Sequence, residues 1–233
     1  MNITERVESA IASLLDNGTR LQGPAVETYV SRLRRAHPDE TPQQIVERLE
    51  RMFLTAVTGS GGAVGAAAAV PGIGTVGSIA AVSAETAFFL EASALFTLAV
   101  ASVHGIPVEN HERRRALVLS VALGAAGMEI VEKAVGTTTK NWGLLLSGKL
   151  PAQTMTGMNQ TLLRTFVTKY AAKRSALILG KLVPAGIGAA IGSMGNRTIG
   201  KGVVANARDA FGPAPAHWVI TVEAYPDAYP QGV

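Results

Sequence analysis

The chain has 233 residues, of which 48% are hydrophobic, only 16% charged and 5% aromatic, with 25 glycines and no cysteine. That length supports one substantial domain, and the missing cysteine removes disulfides, thiolate nucleophiles and cysteine–zinc sites. The net charge of +4 is spread over short clusters (Arg32, Arg34 and Arg35; Arg113 to Arg115; Lys169, Lys173 and Arg174) rather than one long tract, which argues against nucleic acid and suits an anionic membrane surface or a solvated basic face.

An ordinary soluble domain carries about 25% charged residues. Here glycine and alanine supply much of the apolar volume, and small side chains let helix backbones approach closely. The mean hydropathy of +0.26 is high for a soluble protein and low for one with several spanning helices. The first residues, MNITERVESAIASLL, contain acids and no basic segment ahead of an apolar run, so a cytoplasmic start is the expectation.

In chain order, residues 3–15 place Ile3, Val7, Ile11 and Leu14 at helical spacing. A second amphipathic helix follows Pro24, with Val26, Tyr29, Val30 and Leu33 on one side, and His37-Pro38 ends it. Thr41-Pro42-Gln43-Gln44 is a helix start: Thr41 caps, Pro42 suits the first helical position, and Gln44 completes a capping box. The helix it opens turns Ile45, Leu49, Met52 and Phe53 inward and Glu47, Arg48, Glu50 and Arg51 outward, then runs into an apolar stretch.

That stretch, residues 55–103, contains only two charged residues, Glu85 and Glu91. It reads as an antiparallel pair of apolar helices broken at Val70-Pro71-Gly72-Ile73-Gly74. A first limb over 55–70 would rise ~24 Å, short of a ~30 Å hydrocarbon core, whereas a return limb over 73–103 would rise ~46 Å and carries both glutamates. Such unequal limbs argue against a regular spanning hairpin.

His104-Gly105-Ile106-Pro107 closes the pair. Asn110 caps the next helix, which stops near Gly124 or Gly127; a short amphipathic piece over 128–135 ends at Gly136. After a short apolar segment over 140–146, Leu150-Pro151 opens a long helix. The break then has an echo, Val183-Pro184-Ala185-Gly186-Ile187-Gly188, before a basic last helix that ends at Phe211-Gly212-Pro213. The domain division expected is residues 1–40 for the N-terminal helices, 41–212 for the main helical domain and 213–233 for a proline- and aromatic-rich tail, in which WVITV is the one candidate edge strand. The fold class is therefore all-α, a bundle around the glycine- and alanine-rich apolar pair, with no significant β-sheet.

The VPGIG stretch, the IPVENHERRRALVLSVALG segment and the C-terminal LVPAGIGAAIGSMGNRTIGKGVV together resemble the EcsC-like proteins of bacteria, over roughly residues 55–211. The resemblance implies an all-helical domain, associated in some bacteria with an ABC-transporter operon and protein secretion. It carries no catalytic residues.

Catalytic and cofactor signatures are sparse. Residues 72–77 spell G-x-G-x-x-G, but a dinucleotide fold needs a strand before it, and residues 66–69 are a poor one; a helix break is the expectation, with Pro71, Gly72, Gly74, Pro184, Gly186 and Gly188 as its structural residues. The histidines (His37, His104, His111, His217) form no H-x-x-x-H or H-E-x-x-H pattern, and no serine sits in a G-x-S-x-G elbow. No catalytic, cofactor-binding or metal-binding residue is thus assigned, and no cofactor is expected. Glu85 and Glu91 are the candidates for function, because a carboxylate in an apolar helix is costly unless paired or neutralised. Six residues separate them, about 600° of helical rotation, so they do not share a face.

The function expected is that of a non-enzymatic, membrane-associated helical protein, peripheral at the inner face of the cell membrane. Its partner would be an anionic lipid surface or a membrane protein; no nucleic acid is expected, and a homo-oligomer fits. The alternative is a soluble small-molecule binder or enzyme with its site inside the bundle near Glu85 or Glu91.

Overall fold

The computed structural model describes residues 25–67, 74–106, 110–136, 143, 150–179 and 187–218, with side chains described for all of these except 64–67, 74–84, 86, 170–179 and 187–192. Outside lie the first amphipathic helix, Pro71, Gly72, Pro184 and Gly186, nearly all of the 140–146 segment and most of the aromatic tail. Of the described residues 85% are helical and none is in a strand. Seven helices follow in order: α1 (residues 25–36), α2 (Pro42–Ala67), α3 (Gly74–Val103), α4 (His111–Leu123), α5 (Ala125–Val135), α6 (Ala152–Leu179) and α7 (Ile187–Phe211).

Helix ends follow the local chemistry. At α2, the Thr41 amide donates to Gln44 Oε1 at 2.8 Å and the Gln44 amide to Thr41 Oγ1 at 3.3 Å, the reciprocal pair of a capping box. At α4, Asn110 sits in extended backbone (φ −75, ψ 120) and its Oδ1 accepts from the Arg113 amide at 3.0 Å. Helices α5 and α7 end on Gly136 (φ 75) and Gly212 (φ 72), where a side chain would be strained.

Helix α2 is the axis of the packing. Its stripe of Ile45, Leu49, Phe53 and Val57 is at most 5% exposed. On one flank Phe53 stacks on Phe96 of α3 (4.8 Å between centroids) and tilts against Phe89 (6.3 Å), while Val46 and Glu47 line a cleft with Val100 and His104, so α2 and α3 run antiparallel. On the other flank lies α7, also antiparallel: an added Cβ at Gly62 would meet Ser193, Asn196 bonds the Val57 carbonyl, Arg208 holds Glu50, and the Ala214 amide reaches Gln43. Helix α4 returns along α3. Helix α6 runs parallel to α4, since Asn159 meets Glu112 near the start of both and Phe166 shares a cavity with Val118 and Leu119.

Helix α1 joins the same core through Val26 (0% exposed) and Val30 (6%), and the Arg34 guanidinium lies 4.7 Å from the Trp218 ring centroid. Burying a side chain of the size of Phe53 or Leu98 stabilises by about 1.5–3 kcal/mol each.

Two orientations differ from the sequence reading. Glu50, expected outward, is 7% exposed, and Met52, expected inward, is 47% exposed. The reason is the second flank of α2. The stripe facing α3 is followed, one residue on, by a stripe facing α7, and Glu50 lies in it between Val46 and Leu54, the latter against Gly200. Met52 falls off both, at an edge where the Tyr29 hydroxyl donates to its sulfur at 3.5 Å.

Candidate functional site

Glu85 lies on α3 and is 3% exposed. Asn196 of α7, also 3% exposed, donates from Nδ2 to Glu85 Oε1 at 2.8 Å and to the Val57 carbonyl of α2 at 3.1 Å. One amide thus fastens three helices. A buried carboxylate needs such a donor, and the Val57 carbonyl accepts this bond beside one from Ser60 Oγ at 3.1 Å. Glu91 is on the exposed side of α3, as its six-residue offset from Glu85 requires. Neither glutamate lines the cavities found between α2, α3 and α7, beside α1, or between α3, α4, α6 and α7.

The largest of these, about 420 Å³, opens between the N-terminal half of α2 and the C-terminal ends of α3 and α7. Arg208 forks onto Glu50 there, Nε to Oε1 at 2.7 Å and the terminal nitrogen to Oε2 at 2.5 Å. The Glu50 carboxylate, through its hydrogen bond first and its charge second, pushes the Arg208 guanidinium further above its ordinary range. His104 shares the cleft. Its Nδ1 lies 2.8 Å from the Val100 carbonyl, which only accepts, so Nδ1 carries the proton. Its Nε2 is buried without a hydrogen-bond partner, and its ring packs 5.5 Å from Phe211. With both Glu50 oxygens engaged and His104 Nε2 sealed, the cleft presents no nucleophile–base pair among its described residues.

A second polar cluster holds the start of α4. Asn159 of α6, 2% exposed, donates from Nδ2 to the Glu112 carbonyl at 3.0 Å and to Glu112 Oε2 at 2.6 Å. His111 Nδ1 is 3.8 Å from Glu112 Oε1. No three His, Asp or Glu side chains gather as a metal site among the described residues.

At the other end of the bundle charge runs out. The contact of Gly62 with Ser193 sets the C-terminal end of α2 beside the N-terminal end of α7. The short connections 68–73 and 180–186 then bring the start of α3 and the end of α6 to that same end. The parts of these helices gathered there, residues 52–67, 74–84, 175–179 and 187–196, contain no Asp, Glu, Lys or Arg, and the two connections add one charge, Lys181. At their border two large apolar side chains face outward, Phe88 (42% exposed) and Met194 (68%), each within one turn of the Glu85–Asn196 bond. Exposed Lys169, Arg197 and Lys201 follow on α6 and α7. No helix among the described residues is long and apolar enough to cross a membrane.

The G-x-G-x-x-G of residues 72–77 is preceded by α2, helical through Ala67, and Gly74 already opens α3. A dinucleotide fold needs a strand at that point.

Sequence reasoning passed over Asn196, Asn159 and the Glu50–Arg208 pair. The signal for the asparagines was phase: each sits where its helix turns toward the core, Asn159 next to Met158 and one turn before Leu162. Asparagine is a poor helix former, so a buried one marks a bond worth having. Nothing in the sequence pairs Glu50 with a residue 158 positions away.

Compared with known protein families, curated proteins and solved structures, the chain finds no match.

Proposed function

We propose that this is a membrane-associated, non-enzymatic protein that seats the charge-poor end of its bundle in one leaflet of a bilayer. The observation that carries the reading is the gathering of four charge-free helix ends at one pole. The α7 segment there, ten residues, rises ~15 Å, about half of a ~30 Å hydrocarbon core. Such a pole suits one leaflet and not a full span, in keeping with the lack of a crossing helix among the described residues. Lys169, Arg197 and Lys201 lie beyond it, where cations near an anionic surface gain about 1 kcal/mol each. Within this reading the likeness to EcsC-like proteins supplies a setting at the inner face of a bacterial membrane.

The test is flotation of the full chain with phosphatidylcholine vesicles, with and without phosphatidylglycerol. The chain should float with the anionic vesicles. Met194→Glu, at a 68% exposed position, should fold normally and lose most of that binding. A chain that stays wholly unbound with both vesicle types overturns the proposal, and so does a Met194→Glu variant that floats like the wild type.

A further inference from the structure

We infer that the cavity between α3, α4, α6 and α7 is a binding site for a small branched or short-chain carboxylate. Its walls include Phe89, Val118, Leu119, Phe166 and Val203, none more than 5% exposed. Its one charged lining group is Lys169, exposed at the rim. The inference shares Lys169 with the membrane reading but does not rest on it, because the cavity lies between packed helices.

Three observations point to this chemistry. The cavity, open on one side, holds about 70 Å³ between four packed helices, where packing otherwise approaches crystal density. An engineered cavity of ~150 Å³ takes up a benzene ring, so this one encloses about three carbons. The interior asks for no hydrogen bond. Ser93 is its only hydroxyl, and Ser93 Oγ already donates to the Phe89 carbonyl at 2.7 Å. At the mouth there is a cation with no fixed acid. Glu129, whose carboxylate feels the Lys169 charge, is held by Lys133 at 2.8 Å, and no salt bridge to Lys169 forms among the described residues. A ligand that satisfies both parts has an apolar end of a few carbons and an anionic head one or two bonds further out. A carboxylate of about four to six carbons has that shape, and a long acyl chain does not, since its head would be carried past Lys169.

The experiment is calorimetric titration and thermal shift of the full chain, without lipid, against isovalerate, hexanoate, palmitate and 3-methylbutan-1-ol. Isovalerate and hexanoate should bind saturably and raise the melting temperature, and the neutral alcohol should bind several-fold more weakly. Lys169→Gln should weaken isovalerate several-fold and leave the melting temperature of the free chain unchanged. Val203→Leu places one more carbon in the void and should abolish binding. Affinity that climbs steadily to palmitate, binding untouched by Lys169→Gln, or no binding by either short acid overturns the inference. If Val203→Leu does not fold, Lys169→Gln and the alcohol decide alone. Because no vesicle is present, failure here leaves the membrane proposal standing, and failure of flotation leaves this one standing.

Discussion

Asn196 makes the least replaceable contact at the scale of single residues. Its Nδ2 serves both the Glu85 carboxylate and the Val57 carbonyl, and both acceptors are buried with it. Asn196→Ala removes one buried hydrogen bond from each acceptor, and losing such a bond costs about 1–3 kcal/mol, more where the acceptor is charged. A urea melt should show that loss with an unchanged slope. Asn196→Asp should be worse near neutral pH, because it sets one carboxylate against another. The Glu40–Arg48 pair makes stability depend on pH. Arg48, chiefly by hydrogen bonding, holds the Glu40 carboxyl below the usual carboxylate range. A depressed folded pKa gives stability that is present above the ordinary carboxylate range and is lost as pH falls through the folded value. Arg48→Met should therefore lower the melting temperature slightly at neutral pH and not at all in strong acid. Both partners of this pair are at the surface, so the effect is small.

Among the elements, glycine separates two kinds of helix contact. At Gly127 of α5 a Cβ would lie 2.2 Å from the Ser120 carbonyl oxygen and 2.6 Å from its Cα, so the backbone crossing of α4 and α5 admits no side chain. At Gly157 of α6 the same atom meets nothing within 4 Å. Gly127→Ala should destabilise by about 1–3 kcal/mol, the cost of overpacking, whereas Gly157→Ala should stabilise by about 0.5–1 kcal/mol by stiffening the unfolded chain. Thermal melts of the two variants should shift in opposite directions. The sequence alone offers Gly127 as one of two helix stops and Gly157 as a glycine inside a helix. Its legible part was what depends on neighbours in the chain: the Thr41–Gln44 box, the Asn110 cap, the ends at Gly124, Gly136 and Gly212. What depends on a distant partner was illegible. The inward face of α2 could be read from its 3.6-residue stripe, but the second face, which buries Glu50 and frees Met52, exists only because α7 returns along it. Glu85 was legible as a carboxylate in an apolar helix. Its partner was not, for an asparagine 111 residues on leaves no periodic trace.

For the whole molecule the arrangement is polar from end to end. Glu50–Arg208, Arg48–Glu40 and His104 occupy one pole, and the helix ends at the other carry no charge. An apolar seat and a ring of cations respond differently to salt, so their shares in membrane binding can be separated. Burial of Phe88 and Met194 in lipid is insensitive to ionic strength, whereas the pull of Arg197 and Lys201 on anionic headgroups is screened as the Debye length falls from ~10 Å at 0.1 M to ~3 Å at 1 M. Flotation with phosphatidylglycerol vesicles should therefore weaken with added salt toward the level seen with phosphatidylcholine alone, and stop there. Arg197→Gln and Lys201→Gln, both at exposed positions, should each lower affinity for anionic vesicles about fivefold at low salt, the equivalent of ~1 kcal/mol per cation, and have no effect at high salt. Met194→Glu should lower binding at every salt concentration. If salt removes all binding to both vesicle types, the charge-poor pole contributes nothing and the contact is a purely electrostatic one. If salt removes none, the cations on α7 face away from the lipid, and the pole is seated by its apolar surface alone.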